Sequence, residues 1–128
     1  MILDTSAIVA VIRDEPGRRR LVEAMAGAAE VGAGTPTLTE ASVVMVRRYG
    51  PAGRLTLARF LEENAVISVP FGDHHWSVAT EAFIRYGKGR HPAALNYGDC
   101  MTYATAKVAG VPLLFTGNDF AKTDLVSA

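Results

Sequence analysis

The sequence predicts an α/β fold in which a parallel sheet is flanked by helices on both faces. Three observations predict it. The strand-like runs "MILD", "AVISVP" and "PLLF" are short and apolar, without the alternation of a half-exposed strand, so both faces of each should be buried. Amphipathic segments of helical length separate them, as crossovers between parallel strands require. The breakers Pro16-Gly17, Gly50-Pro51 and Gly110 with Pro112 fall between these segments rather than inside them.

The elements follow in order. "MILD" is a buried strand ending in a polar cluster. "TSAIVAVIRDE" has helical spacing with Ser6 as its cap, and Pro16-Gly17 ends it. "RRRLVEAMAGA" is a second helix with Leu21, Val22, Met25 and Ala28 on one face. "VGAGTPTL" reads as loop with at most a very short strand. Thr37 or Thr39 then caps "EASVVMVRRYG", which stops at Gly50-Pro51 and carries Glu40 in its first turn. "AGRLTLARFLEEN" is a further amphipathic helix, and "AVISVP" a strand ended by Pro70. Asp73 caps "HHWSVATEAFIRYG", and "KGRHPAA" is a basic loop. Asn96 caps a sixth helix from Tyr97 to Gly110, with Asp99 in its first turn. "PLLFTGNDF" is the last strand and a polar turn, and the tail "AKTDLVSA" is weakly defined. No internal repeat, low-complexity stretch or linker interrupts the chain.

The bulk numbers narrow the function classes. The 128 residues suit one domain, and 49% hydrophobic with 20% charged residues describes a folded, water-soluble protein. The formal net charge is zero, so any case for nucleic acid must come from local charge. Cys100 is the only cysteine, which excludes an intrachain disulfide and a thiolate cage. No apolar run is long enough to cross a bilayer, and "MILDTS" lacks the basic start of a signal peptide, so the cytoplasm is expected.

Four acids stand out on this layout. Asp4 ends the first strand, Glu40 and Asp99 open helices, and Asp119 follows the last strand. In a parallel α/β sheet, strand ends and the starts of the following helices share one edge, where ligands bind. Each acid has an ordinary reading as a cap or turn residue. Together they form a cluster of hard oxygen donors, suited to Mg²⁺ or Mn²⁺. Such an ion polarises a phosphoryl oxygen and lowers the pKa of a bound water, the chemistry of phosphodiester hydrolysis. Without it the acids repel, and at least one should have a raised pKa.

Supporting groups flank the acids. Thr5, Ser6 and Thr116 offer hydroxyls that orient water or a ligand, or serve as caps and turn bonds. Asn118 can orient Asp119 or act as a turn residue. Lys88, Arg90 and His91 form the basic loop leading to Asp99 and are candidate RNA-phosphate contacts. Arg18, Arg19 and Arg20 read as a solvated helix face, and Arg47 and Arg48 as charges matched to a helix end. His74 and His75 are adjacent, point to different faces and read as surface. Cys100 reads as a small buried residue, and Trp76, Phe60, Phe83 and Phe120 as packing in the core or a dimer.

The segments "MILDTSAIVAVIRDEP", "LTEASVV", "YGKGRHPAALNYGDC" and "PLLFTGNDF" together resemble the signature segments of PIN-domain ribonucleases, specifically the VapC toxins of bacterial type II toxin–antitoxin pairs. The resemblance runs from Met1 to about Asp124, so residues 1–128 are expected to form a single PIN domain with a PIN-like, Rossmann-like sheet. It implies a Mg²⁺-dependent endoribonuclease, with Mn²⁺ as substitute, restrained by a cognate VapB antitoxin and forming a homodimer. It implies Asp4, Glu40, Asp99 and Asp119 as the catalytic acids, matched through "LDTS", "TEAS", "NYGD" and "NDF", with Asp4 and Asp99 as metal ligands. Metal-activated water would attack phosphorus in line, oriented or deprotonated by Glu40 or Asp119. One departure is visible. Many relatives carry another acid one or two positions before the last aspartate, where this chain has Gly117 and Asn118. Asp124 could supply that charge. Three rivals stay open: a PIN-fold RNA-processing nuclease that is not a toxin, a module that binds RNA without cutting it, and a phosphomonoesterase with Asp4 as nucleophile. The last usually carries a second Asp two residues on, where Ser6 stands here.

Overall fold

A computed structural model describes residues 1–128. Four parallel strands form one sheet: β1 (Ile2–Leu3), β2 (Gly32–Gly34), β3 (Ile67–Val69) and β4 (Leu113–Leu114), in the order β3-β2-β1-β4. Six helices connect them: α1 (Thr5–Ile12), α2 (Arg18–Ala26), α3 (Thr35–Tyr49), α4 (Gly53–Glu63), α5 (Asp73–Tyr86) and α6 (Tyr97–Ala109). A 3₁₀ turn, Phe120–Lys122, follows β4.

Alternation along the two central strands divides the core. Ile2 pairs with Leu113 and Leu3 with Leu114, so the two pairs send their side chains to opposite faces of the sheet. Leu3 and Leu114 pack with Ile8, Leu21, Met45 and Phe60 from α1 to α4. Ile2 and Leu113 pack with Ala82, Tyr86, Tyr103 and Phe120. This is why the central strands read as unbroken apolar runs. β3 differs: it lies at the sheet edge, and Ile67 is half exposed.

The connection from β1 runs to β2 on one side, while β4 joins β1 on the other. The strand order therefore reverses between β1 and β4, and the crevice beyond their carboxyl ends is the natural ligand position. Asp4 leaves the first of these strands and Asp119 lies beyond the second.

Several local expectations are corrected. Asp4, not Ser6, caps α1, accepting from the Ser6 N–H at 3.0 Å. The Ser6 hydroxyl instead accepts from the Thr116 N–H at 3.0 Å, tying α1 to the segment after β4. α3 begins at Thr35, so Glu40 lies in its second turn. Pro36 is tolerated in the first turn because its missing N–H would have had no helical partner there. Gly72 precedes α5 as its cap, and Asp73 is the first helical residue. Trp76 and Phe83 are exposed, whereas Phe60 and Phe120 are core. The tail is ordered. The Leu113 N–H donates to the Val126 carbonyl at 2.9 Å and the Ala128 N–H to the Leu113 carbonyl at 2.8 Å, so the tail covers the outer edge of β4.

Candidate active site

Asp4 is held rigidly. Its N–H donates to the Leu114 carbonyl at 3.0 Å, and the residue is 6% exposed. One carboxylate oxygen is committed to the α1 cap. Thr5, next in the chain, is 8% exposed, and its Oγ1 has no hydrogen-bonding partner. A buried hydroxyl left unpaired is costly in a folded chain, and an unfilled ligand position is one physical reason for it.

Asp99 is placed by a capping box. Asn96 Oδ1 accepts from the Asp99 N–H at 2.9 Å, and Asp99 Oδ2 accepts from the Asn96 N–H at 3.0 Å. The local sequence thus aims this carboxylate at the mouth of α6. Its pKa is pushed up to about 6, by burial first and also by the charges of Asp4, Asp119 and Glu40, against the lowering effect of the Asn96 bond. All three other acids therefore lie within electrostatic reach of Asp99.

Glu40 arrives from α3, which packs along α6 through small contacts. Thr37 Oγ1 lies 3.0 Å from Thr102 Oγ1 in a buried bond. Asp119 is exposed and opens the 3₁₀ turn, which buried Phe120 anchors against Phe115 with ring centroids 5.3 Å apart.

The four acids share one further property. None of the four has a cationic side chain within 4.0 Å, as is also true of Glu30, Glu62, Glu63, Asp73 and Glu81, but only these four are gathered around one part-buried carboxylate. The donor set is carboxylate oxygen throughout, and a divalent cation is the missing counter-charge it fits. No three of these side chains close into a compact cage.

Asp124 does not join this group. Its carboxylate accepts from Tyr103 Oη at 2.6 Å and Lys107 Nζ at 2.7 Å, with Arg85 3.9 Å away. The Lys107 and Tyr103 bonds hold its pKa down at about 2. It clamps the tail to α6 and does not replace the acid absent at Gly117 and Asn118.

The remaining candidates are placed as follows. Thr116 is half-buried beside Ser6, and Asn118 is exposed. Lys88 and Arg90 are exposed in the loop before α6, with the Arg90 guanidinium 5.6 Å from the Phe83 ring centroid. His91 is committed within that loop: its Nδ1 accepts from the Ala93 N–H at 3.0 Å, and its ring meets Tyr86 edge-on. His74 is exposed, and His75 Nδ1 accepts from the Gly72 N–H at 3.0 Å. Burial raises the Cys100 thiol to about 11, so it is inert. Cys100 lines an apolar cleft of about 500 Å³ with Phe71, Trp76, Phe83, Tyr97 and Met101.

Sequence reasoning missed Arg20. Its Nη2 donates to the Phe115 carbonyl at 3.2 Å, which brings a cation to the carboxyl end of β4. No local signal separates Arg20 from Arg18 and Arg19, because the contact spans 95 residues.

The PIN domain family profile matches residues 1–126. A ribonuclease VapC36 of Mycobacterium tuberculosis is 47% identical over 126 residues, covering 98% of this chain and 91% of the relative. The crystal structure of M. tuberculosis VapC20, described as a sarcin-ricin loop cleaving toxin, superposes with a TM-score of 0.79 at 18% identity, covering 99% of this chain and 97% of that one. VapBC2 from Rickettsia felis, bound to a DNA fragment from its promoter, superposes with a TM-score of 0.78 at 14% identity, covering 99% and 96%.

Proposed function

The chain belongs to the PIN-domain family, on its VapC branch, and we propose that it is a divalent-metal-dependent endoribonuclease acting as the toxin of a toxin–antitoxin pair. The observation that carries this reading is the set of four acids without counter-charges, one of them raised to about 6. The ribonuclease name of a relative at 47% identity supports RNA as the substrate.

Asp4 and Asp99 would hold Mg²⁺ or Mn²⁺. When bound, the ion supplies Lewis acidity at phosphorus and an acidified water. Glu40 or Asp119 would orient the attacking water and take up its proton. Thr5 offers an unused hydroxyl beside Asp4, and the Ser6–Thr116 bond fixes the spacing of the β1 and β4 ends. Lys88, Arg90 and Arg20 supply cations for RNA phosphates outside the acidic centre.

The partner is a VapB-type antitoxin whose basic segment supplies the counter-charge the acids lack. A second copy of the chain covers the exposed apolar residues Trp76, Phe83 and Ile84 on α5.

The test is RNA cleavage by the purified protein in Mg²⁺ or Mn²⁺, with and without EDTA. Asp4→Asn and Asp99→Asn should each abolish cutting while the far-UV circular dichroism stays native. Cleavage at the wild-type rate by either variant, or undiminished cutting in EDTA, refutes the assignment.

A further inference from the structure

Three contacts run up the seam between α3 and α6. At its base, a β-carbon on Gly34 would stand 2.6 Å from Thr105 Oγ1. One turn on, Thr37 and Thr102 share a buried hydroxyl bond of 3.0 Å. At its top the Glu40 carboxylate lies directly on Gly98, so a β-carbon there would overlap Glu40 Oε2. Residues 34, 37 and 40 meet 105, 102 and 98, so the helices run antiparallel along the seam. Small residues at every level let them approach closely.

We propose that Gly98 is a positioning residue for the reaction: the gap it leaves in the first turn of α6 is the seat that holds the Glu40 carboxylate beside Asp99. The inference rests on the ribonuclease reading for its functional meaning, but the seat itself is geometric. Glu40 belongs to an exposed position on α3, and a glutamate free in water samples many rotamers. In this structure its carboxylate rests against Gly98, in space that a β-carbon would occupy. Gly98 has no backbone need for glycine, since its φ is not in the left-handed region. Alanine is the better helix former, so the glycine is explained by close approach and not by local conformation.

The consequence separates stability from activity. In Gly98→Ala the helix loses nothing, and the obstructed group is the far end of a flexible side chain, which swings away. Its melting midpoint in EDTA should equal or exceed that of wild type. RNA cleavage should fall by roughly ten- to a hundredfold, the scale of a small misplacement of a reacting group. In a Glu40→Ala background Gly98→Ala should cost nothing further, because the group it displaces is already gone.

Wild-type activity in Gly98→Ala overturns the proposal. So does an additive loss in the double variant, or a fall in melting midpoint that accounts for the lost rate. A wild-type protein that cuts no RNA refutes the functional reading instead. The crystal structure of Gly98→Ala then decides the seat: a Glu40 carboxylate displaced from α6 supports it, and one unmoved overturns it.

Discussion

Replacing Asp99 by asparagine should flatten the pH dependence of stability in one window. The wild-type carboxyl titrates at about 6 in the folded chain and at 3.8 in the unfolded one. The native state therefore holds its proton more tightly. Stability from this group is fully present below 3.8 and is lost as pH rises through 6. A two-unit shift is nominally about 3 kcal/mol at 1.36 kcal/mol per unit. Because Asp99 is only part-buried, solvent screening reduces that to about 1–2 kcal/mol. The asparagine in Asp99→Asn does not titrate, and its side-chain oxygen can still accept from the Asn96 N–H, so the capping box survives. The assay is a series of thermal melts of both proteins in EDTA between pH 4 and 7.5. At roughly 4 °C per kcal/mol for a chain of this size, the variant should gain about 4–8 °C on wild type across the window. Titrations away from the cluster are common to both proteins and cancel, and Asp4, Glu40 and Asp119, which interact with Asp99, contribute to the same difference. Parallel profiles would show that Asp99 carries no such burden and would return it to the role of an ordinary helix-capping acid. Excess Mn²⁺ at pH 7.5 should reverse the order. At a hundred times its dissociation constant a ligand adds about 2.7 kcal/mol, roughly 10 °C here, to the protein that binds it. Equal shifts in the two proteins would remove Asp99 from the ligand set.

Other expectations follow from single contacts. Asp124→Asn should destabilise by about 1 kcal/mol at pH 7, after discounting for exposure. Its pKa is depressed to about 2, so that loss should fade as pH falls from 3.8 toward 2, which acid-range melts would detect. Arg20→Ser should leave the melting midpoint within a few degrees of wild type. It should lower the salt slope of single-stranded RNA binding by about 0.7, measured in an Asp4→Asn background, and an unchanged slope would place Arg20 outside the RNA path. Trp76→Glu should convert the wild-type dimer to monomer in light scattering. A wild type that is already monomeric removes the assignment of α5 to self-association.

How much of this is legible in the sequence depends on the range of the interaction. α6 is legible to its ends, because its signals are local: the Asn96–Asp99 box at one end and left-handed Gly110 at the other. The two-faced burial of β1 and β4 is legible for the same reason. Cap identities fail where two polar residues compete, as Asp4 and Ser6 do, since the sheet decides which one faces the first turn. The start of α3 is obscured because Pro36 looks like a break, although a proline in the first turn is compatible with a helix. Asp124 is ambiguous because nothing near it in the chain announces Tyr103, 21 residues earlier. Gly98 and Arg20 are invisible: their partners, Glu40 and Phe115, lie on other elements, and a glycine or one arginine among three carries no mark of what it touches.

The clustering of four unpaired acids ties the proposed cofactor to the proposed partner. This chain has as many acidic as basic residues, and Asp14, Glu15, Glu23 and Asp124 find arginine or lysine neighbours. The crevice beyond β1 and β4 gathers four carboxylates with no cation in salt-bridge contact, Arg20 reaching only the Phe115 carbonyl at its edge. A metal ion and a basic residue from an antitoxin would both answer that same deficit, so they should compete rather than cooperate. If each occupies the acids that the other needs, metal must weaken the antitoxin segment by the factor by which the segment weakens metal. The measurement is titration of the antitoxin's C-terminal segment by calorimetry, with EDTA and with saturating Mn²⁺. A fall in affinity of at least about fivefold, the lower end of typical coupling, is expected with Mn²⁺. Glu40→Gln should shrink the fall, because one of the shared charges is gone. Equal affinity in both buffers would mean that the segment binds away from the acids, and inhibition would then need a steric explanation instead of an electrostatic one.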